Sequence, residues 1–299
     1  MFEAIQGIEG DPIVYLNSEY LPLSKAGVSV LDRGFIFGDG IYEVVPVYYQ
    51  HPFRMQEHLD RLERSLAKIE ITPPFSRQQW QALIAALLAR QPERDHAMVY
   101  IQITRGVAKR DHAFPVPPVK PTVFAMVSPM KPPGEVLRAQ GVRAVSMQDM
   151  RWLHCDIKSV SLLGNVLAKQ TAIDAGVDEV IQFRDDFMTE GAACNVWMVE
   201  GGTVFGAPID NQVLEGIRYG LFQELCEQSE LPFKLEPLSR ERVMRADELL
   251  VSSATREVLP VVELDAKPVG AGKPGPVFAR LRQAYDDCVK QLRSKEVSL

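Results

Sequence analysis

Short runs of β-branched and aromatic residues alternate with amphipathic helical patterns along the 299-residue chain, and this interleaving limits the fold more than any other feature. Residues 13–16 and 41–49 predict strands, and the Gly- and Asp-containing residues 32–40 between them predict a loop. From 57 to 69, apolar side chains recur at helical spacing, which predicts an amphipathic helix. The pattern therefore predicts a mixed α/β (α+β) fold.

The rest of the chain continues this alternation. The next predicted elements are a helix over 79–90 and strands over 97–104 and 122–127. In the second half, the patterns predict strands over 142–147, 179–183, 233–236, 248–251 and 259–263, a strand pair around the turn at 200–203, and helices over 162–175, 216–229 and 277–293.

Residues 128–134 (SPMKPPG) concentrate proline and glycine, which interrupt both helices and strands. Because one hydrophobic core rarely organises more than about 250–300 residues, a domain boundary is expected near this segment. We expect a smaller N-terminal α/β domain over 1–127, a linker over 128–135 and a larger C-terminal domain over 136–299.

Charge and cysteine usage exclude several classes of protein. The 33 basic and 39 acidic side chains are dispersed and give a net charge of −6, so no footprint for nucleic acid or an anionic membrane is present. No apolar run approaches the ~20 residues of a membrane span, and residues 1–7 do not resemble an export signal. The scattered cysteines indicate neither a zinc site nor a disulfide framework. We expect a cytoplasmic protein without a metal, whose partners are small molecules or other protein chains.

Two motifs carry residue types suited to catalysis. Lys158 lies between a predicted strand and the helix that begins at 162, and partial desolvation there would make its amine available for Schiff-base chemistry with an aldehyde cofactor. Glu190, in a turn of small residues, can supply a fixed negative charge to a heteroaromatic nitrogen. From the residues alone, a solvated lysine and a solvated turn carboxylate remain the commoner alternatives.

Four motifs in order resemble the fold-type IV pyridoxal-phosphate-dependent aminotransferases, and among them the D-amino acid aminotransferases most of all. They are residues 32–45 (DRGFIFGDGIYEVV), 57–62 (EHLDRL), 156–159 (DIKS) continuing to 169–170, and 189–191 (TEG) with Asn195. The resemblance extends from about residue 13 to the last predicted helix. It implies the two-domain fold of that family.

The resemblance also implies pyridoxal 5'-phosphate as the cofactor, and it makes the larger C-terminal domain over 136–299 the cofactor-binding domain. Lys158 then binds the cofactor aldehyde and moves a proton between the substrate Cα and the cofactor, while Glu190 pairs with the pyridine nitrogen. The other implied cofactor-binding residues are Arg61 and the amides of Ile217 and Arg218 at the phosphate, Leu214 on the ring, and Ser253, Ala254 and Thr255 nearby. Without the resemblance, the alternative for Arg61 is a salt-bridging arginine on an amphipathic helix, and the default for Leu214 is an ordinary core leucine.

The loop after the strand predicted at 97–104 contains Arg110 and His112, two groups that can hold a carboxylate. A solvated basic loop is the alternative from the residues alone. The resemblance implies that Arg110, His112 and Tyr42 bind the substrate α-carboxylate, and that the loop reaches the active site of a neighbouring subunit in a homodimer with composite sites. It favours transfer of the amino group of D-alanine to 2-oxoglutarate, which gives pyruvate and D-glutamate.

Some positions depart from the family pattern. Ala192, Ala193 and Cys194 stand where serines are common, Arg218 replaces a threonine, and Ala254 replaces a hydroxyl residue.

Several other functions are compatible with the same lysine and glutamate. They are those of a branched-chain aminotransferase, an (R)-amine transaminase and aminodeoxychorismate lyase. A catalytically inert cofactor-binding protein is the alternative from a different class.

Overall fold

The structure is a computed structural model that describes residues 5–294. Residues 1–4, on which the expectation about an export signal partly depends, lie outside the described residues. The chain divides into two compact units. The first contains residues up to 131 together with 157–162, and the second contains 132–156 and the residues from 163 onward. Within the described residues, no helix is long and apolar enough to cross a membrane.

The first unit is built on a six-stranded sheet with the order β2-β1-β6-β5-β3-β4, in which all neighbours are antiparallel. Its strands are β1 (Ile13–Leu16), β2 (Glu19–Pro22), β3 (Gly40–Tyr48), β4 (His51–Pro52), β5 (His96–Thr104) and β6 (Thr122–Pro129). Its helices are α1 (Arg33–Phe37), α2 (Met55–Lys68) and α3 (Arg77–Leu88). Leu59, Leu62 and Leu66 of α2 are buried in a common core with residues of β3 and β5, as their helical spacing requires.

The second unit contains a mixed nine-stranded sheet whose main path is β12-β11-β10-β13-β14-β7-β8-β9, with β15 paired to β14. Its strands are β7 (Val142–Gln148), β8 (Glu179–Arg184), β9 (Phe187–Met188), β10 (Asn195–Glu200), β11 (Thr203–Gly206), β12 (Phe233–Leu235), β13 (Glu248–Ser253), β14 (Glu257–Leu264) and β15 (Lys267–Pro268). Its helices are α4 (Glu135–Gln140), α5 (Leu163–Asp174), α6 (Ile217–Gln228), α7 (Arg240–Val243) and α8 (Pro276–Ser294).

Trp197 of β10 anchors the core of the second unit. Its ring stacks on Phe222 of α6 with centroids 4.2 Å apart, and its Nε1 donates a hydrogen bond of 2.8 Å to Ser252 Oγ in β13. The buried indole N–H therefore has an acceptor, so the full apolar surface of the ring is buried without leaving a polar atom unsatisfied. This contact fixes α6 against the sheet, and α6 begins at a candidate phosphate site.

The predicted helix over 57–69 is confirmed by α2. The prediction of a loop over 32–40 is wrong in part, because α1 lies there. Asp32 caps this helix by accepting a hydrogen bond from the Gly34 amide, and Gly38 ends it with a left-handed φ of 67°. The capping residues that made the segment resemble a loop thus mark the two ends of a short helix.

The linker predicted over 128–135 overlaps both neighbouring elements, because β6 extends through Pro129 and α4 begins at Glu135. The two units meet within it, between residues 131 and 132. Residues 157–162 follow it in the sequence but group with the first unit, because they pair with the start of β3. The Tyr42 amide donates to the Lys158 carbonyl at 2.9 Å, and the Val160 amide donates to the Gly40 carbonyl at 3.0 Å. Backbone pairing, rather than sequence proximity, decides to which unit the lysine segment belongs.

Candidate active site

Lys158 is held at the start of β3 by its backbone. Its carbonyl accepts from the Tyr42 amide, and its own amide donates to Ser65 Oγ at 3.3 Å. With the main chain fixed on both sides, the side chain projects over the ring of Tyr42, and Nζ lies 4.1 Å from the ring centroid. The structure therefore brings together two predicted site residues that lie far apart in the sequence.

Tyr100 of β5 extends this aromatic surface and was not expected from the sequence. Its ring lies 5.8 Å from that of Tyr42, and its hydroxyl donates to Gln102 Oε1 at 2.8 Å. Burial, with a smaller contribution from Tyr42, raises the pKa of Tyr100 to about 12. Tyr100 is therefore a neutral hydroxyl at physiological pH. Strand alternation places it on the same face as Gln102, and that alternation was the sequence signal available.

Arg61 is buried on α2 and is paired with Glu43 of β3. Its Nε and Nη2 donate to the two Glu43 oxygens at 2.7 and 2.8 Å, and His58 Nδ1 lies 2.8 Å from the same carboxylate. Burial would raise the pKa of Glu43, but Arg61 and His58 outweigh it and hold that pKa well below its usual range. Two of the five guanidinium N–H groups thus bind Glu43, which fixes the orientation of the Arg61 fork.

Arg110 and His112 lie in the exposed loop between β5 and β6, and both approach Phe37 at the end of α1. The ring of His112 is 5.3 Å from the Phe37 ring, and the guanidinium carbon of Arg110 is 5.6 Å from its centroid. The two predicted carboxylate-binding side chains are therefore gathered at one aromatic residue. Phe37 was not predicted as part of a site.

In the second unit, Glu190 is a buried carboxylate that follows β9. Its backbone is fixed beside β8, because its carbonyl accepts from the Gln182 amide at 3.0 Å. Its oxygens accept from the Arg151 guanidinium, from Asn195 Nδ2 at 3.3 Å and from the Leu214 amide at 3.3 Å. Leu214, predicted at the cofactor ring, thus contacts Glu190 through its backbone.

Burial raises the pKa of Glu190, and Arg151 opposes that rise without cancelling it. A second positive partner would stabilise the ionised form of a buried carboxylate whose pKa is raised in this way. A protonated pyridine nitrogen is such a partner, so the surroundings of Glu190 fit the heteroaromatic ring that the sequence motif implies.

Arg151 is the main site residue that sequence reasoning missed. It follows β7, and its Nε and Nη2 donate to the two oxygens of Asp149 at 2.9 and 2.7 Å, while Nη1 donates to Glu190. Thr189 Oγ1 donates to Asp149 at 2.9 Å. The guanidinium therefore joins two buried carboxylates that come from separate segments. The signal in the sequence was a pair of opposite charges two residues apart at the end of a strand.

The N-terminus of α6 has the form of an anion site. Gly216 is the N-cap residue and makes no side-chain hydrogen bond. The amides of Ile217 and Arg218, the first two residues of the helix, are therefore not capped by a side chain of the N-cap residue. A Cβ at Gly216 would lie 2.0 Å from Asn195 Oδ1, so only glycine fits beside this side chain. A phosphate would be bound here by backbone donors, as the motif around residues 213–217 implies.

The Arg218 side chain is turned toward the loop after β13. Its Nε and Nη2 donate to the carbonyls of Ser253 and Ala254 at 3.0 and 3.1 Å, and its guanidinium carbon lies 4.9 Å from the Tyr285 ring. Ser253 Oγ accepts from the Arg256 amide at 3.1 Å. The arginine therefore links α6 to the loop that contains Ser253, Ala254 and Thr255.

The loop at 192–194, where family serines are replaced, is organised by buried Glu179. Glu179 Oε1 accepts from the Ala192 amide at 3.0 Å, and Oε2 lies 3.4 Å from Cys194 Sγ and 3.0 Å from Arg256 Nη1. Burial, followed by the charge of Glu179, raises the pKa of the Cys194 thiol well above its usual value. Cys194 is therefore a neutral packing residue.

Comparison with known proteins agrees with this architecture. Residues 40–264 match the family described as Amino-transferase class IV. The chain is 38% identical over 281 residues to a D-alanine aminotransferase of Staphylococcus haemolyticus, covering 94% of this chain and 99% of the relative. It is 35% identical over 284 residues to a D-alanine aminotransferase of Bacillus licheniformis, covering 95% of this chain and 99% of the relative.

Solved structures show the same fold. A T.th. branched-chain amino acid aminotransferase, solved with pyridoxamine 5'-phosphate, superposes with a TM-score of 0.87 at 23% identity, covering 94% of each chain. The branched-chain aminotransferase of Escherichia coli has a TM-score of 0.85 at 25% identity, covering 93% of this chain and 94% of the other.

The fold is that of the fold-type IV aminotransferases. The chain belongs to the class IV amino-transferases. The family and the fold class expected from the sequence are thus confirmed.

Replacement of Arg151 by methionine should destabilise the second unit, because it leaves Asp149 and Glu190 buried without their shared cation. We expect the free energy of unfolding to fall by about 3 kcal/mol. Loss of the arginine raises the pKa of Glu190 further. The stability that Glu190 contributes in the variant is therefore fully present below the unfolded pKa of a glutamate, near 4.3, and is lost as the pH rises through the folded pKa.

The deficit of Arg151→Met relative to the original protein should therefore be larger at pH 8 than at pH 5 in urea unfolding. Arg245→Met is the matched control, since Arg245 is 72% exposed and pairs with exposed Glu241 at the protein surface. An equal deficit at both pH values would contradict the coupling between Arg151 and Glu190.

Proposed function

We propose that this class IV amino-transferase is a pyridoxal 5'-phosphate-dependent D-amino acid aminotransferase that transfers the amino group of D-alanine to 2-oxoglutarate, giving pyruvate and D-glutamate. The observation that carries the proposal is the placement of Arg110 and His112 together at Phe37 in a chain that aligns over nearly its whole length with D-alanine aminotransferases. Branched-chain aminotransferases have the same fold, so the fold by itself does not identify the substrate.

The residues present fit the cofactor. In the second unit, the open amides at the start of α6 suit a phosphate and buried Glu190 suits a pyridine nitrogen. In the first unit, the Arg61 guanidinium is a group that also suits a phosphate. Leu214 lies beside Glu190, and Arg218 holds the loop of Ser253, Ala254 and Thr255 next to the α6 N-terminus. When bound, pyridoxal 5'-phosphate supplies an aldehyde for covalent attachment and an electron-withdrawing ring.

Each protein group has a role that follows from its chemistry. Lys158 is the covalent attachment point, and its Nζ then holds and moves the proton taken from the substrate Cα. Glu190 stabilises a positive charge on the ring nitrogen, and Arg151 keeps that carboxylate oriented. Tyr42 supports the amine of Lys158 through its ring. These assignments require no metal ion.

Arg110 and His112, with Tyr42, are proposed to bind the substrate α-carboxylate. A guanidinium and an imidazole two residues apart can donate several hydrogen bonds to one carboxylate. Anchoring this group on one side of Cα decides which enantiomer presents its hydrogen to Lys158, and the loop position in this family favours the D-enantiomer.

We also propose a cytoplasmic homodimer in which this loop completes the site of a second copy. Exposed apolar side chains surround the loop: Val30 is 71% exposed, Phe35 75% and Val116 93%. The Leu31 carbonyl accepts from the Ala108 amide at 3.3 Å, so the apolar segment and the loop are directly joined. Such a surface is typical of a protein interface. The buried thiols of Cys155, Cys194 and Cys226 suit a reducing compartment.

Phe35→Asp should weaken the dimer, because it places a charge among apolar side chains that a second copy covers. We expect sedimentation velocity at micromolar concentration to shift from dimer to monomer. Phe187→Asp, at a residue 47% exposed in the second unit, should leave the dimer intact. A monomer in the unchanged protein would contradict the proposed interface.

Lys158→Ala should prevent covalent attachment of the cofactor and lower turnover by about 10³-fold or more, because no amine remains for attachment or proton transfer. Borohydride reduction followed by peptide mass spectrometry should find the cofactor on Lys158 in the unchanged protein. Lys169→Ala is the control, since the Lys169 amine binds the Asp178 carbonyl. Label on another lysine would refute the assignment.

Arg110→Ala should slow the reaction with D-alanine by about 10- to 100-fold, which corresponds to the loss of a charge-assisted contact of ~1.5–3 kcal/mol. Single-turnover rates for D-alanine, L-leucine and (R)-1-phenylethylamine provide the measurement, with the neighbouring Lys109→Ala as control. The amine lacks a carboxylate and should be unaffected. If L-leucine reacts fastest with the unchanged protein, the branched-chain alternative replaces this proposal.

A further inference from the structure

One partly buried acid, Asp39, and two buried arginines, Arg33 and Arg105, form a cluster that contacts the loop containing Arg110 and His112. Asp39 Oδ2 accepts from Arg33 Nε and from Arg105 Nε at 2.8 Å each, and Oδ1 accepts from Arg105 Nη2 at 3.0 Å. The exposed fractions of the Asp39, Arg33 and Arg105 side chains are 13%, 3% and 9%. Asp39 thus holds two cations in fixed positions at the start of β3.

The two terminal nitrogens of the Arg33 guanidinium donate hydrogen bonds to the loop. Its Nη1 donates to the carbonyls of Asp111 at 2.5 Å and Ala113 at 3.3 Å, and its Nη2 donates to the carbonyl of His112 at 3.3 Å. Three consecutive carbonyls therefore point at one buried guanidinium. Side chains of this segment are exposed, so these backbone contacts, rather than side-chain burial, define its path.

Arg105 holds the other side of the same segment. Its guanidinium carbon lies 3.6 Å from the centroid of the Phe114 ring, and Nη2 and Nη1 donate to the carbonyls of Ile69 and Glu70 at 2.6 and 3.3 Å. Those carbonyls follow the C-terminus of α2, where a cation is favoured by the helix dipole. Arg105 therefore ties Phe114 to the rigid end of a helix.

The two arginines of the cluster need more hydrogen-bond acceptors than Asp39 can supply. One carboxylate cannot fully compensate two buried guanidinium groups, so the loop and helix carbonyls supply the remaining acceptors. Removing the loop from this position would leave Arg33 with fewer acceptors in a buried location. The electrostatic requirement of the cluster thus stabilises one conformation of residues 111–114.

We infer that Asp39, Arg33 and Arg105, together called the Asp39 clamp, are positioning residues that fix the loop at 111–114 and through it the orientation of Arg110 and His112. The inference rests on the proposed substrate-binding role of those two residues. The clamp contacts no substrate itself. It acts by lowering the conformational freedom of the loop, so that the carboxylate-binding pair is ordered before substrate arrives.

Two variants loosen the clamp without removing the charge that Asp39 requires. Arg33→Lys retains a cation, but one ammonium cannot reach all three carbonyls. Phe114→Leu retains an apolar side chain at a position 47% exposed and removes the ring that Arg105 contacts. Arg94→Lys is the matched control, because Arg94 is 42% exposed and lies 3.5 Å from exposed Glu9. All are prepared as cofactor-loaded, full-length protein.

Hydrogen–deuterium exchange of the peptide covering 107–114 measures how well the loop is ordered. Steady-state kinetics measure how well the enzyme binds and converts D-alanine. In both variants, exchange should accelerate by about 10-fold, KM for D-alanine should rise by about 10-fold with a smaller change in kcat, and the reaction of (R)-1-phenylethylamine should be unchanged. Arg94→Lys should match the unchanged protein in every assay. Thermal unfolding of each variant verifies that the fold is retained.

The outcomes separate the clamp from the proposed function. Unchanged exchange in both variants would overturn the clamp, and faster exchange without a rise in KM for D-alanine would overturn its positioning role. Arg110→Ala, measured alongside, tests the carboxylate site: an unaffected reaction with D-alanine there would refute the proposed function, even if the exchange data still showed that Arg33 and Phe114 order the loop.

Discussion

The backbone pairing of residues 158–160 with the start of β3 is the interaction on which the proposed chemistry of this chain depends. Two hydrogen bonds, from Tyr42 to the Lys158 carbonyl and from Val160 to the Gly40 carbonyl, tie a six-residue segment to the first unit, although the chain on both sides of it belongs to the second. A lysine on a solvated loop would have many orientations. Here its main chain is fixed by sheet-like bonds, and only the side-chain torsions remain to direct the amine.

Buried carboxylates paired with arginine recur around the functional groups. Glu43 orients Arg61, Asp39 orients Arg33 and Arg105, and Asp149 with Glu190 orients Arg151. Desolvation makes each such charge costly, and removal of one partner would leave the other unpaired. The forked guanidinium can bind a carboxylate along one edge and a second acceptor along another, so it transmits a fixed orientation between segments. Positional precision, rather than net stabilisation, is the physical advantage of these pairs.

The sequence predicted the parts of this arrangement that depend on local pattern. Helical spacing predicted α2. The motifs around Lys158 and Glu190 indicated a lysine that the structure holds by its main chain and a carboxylate that it buries, and their roles at the cofactor stay predictions. The clusters behind them could not be predicted, because their members are distant in sequence: Asp39 and Arg105 are 66 residues apart, Arg33 and Asp111 are 78 apart, and Arg151 and Glu190 are 39 apart. Each charged residue alone was indistinguishable from a solvated one. The missed helix α1 has a different cause, since its capping residues Asp32 and Gly38 are also common in turns.

The losses of hydroxyl groups near α6 are compatible with a phosphate site because the principal donors there are backbone amides. An amide at the start of a helix points along the axis whatever its side chain, so replacing a threonine by Arg218 leaves the donor in place. The arginine adds a cation near the positive end of the helix dipole, which is unfavourable by itself. Its hydrogen bonds to the Ser253 and Ala254 carbonyls offset part of that cost and join the two segments that are proposed to bind the phosphate. An arriving phosphate would be attracted by both the helix dipole and the guanidinium charge, so the substitution exchanges a short-range hydroxyl bond for a longer-range electrostatic attraction.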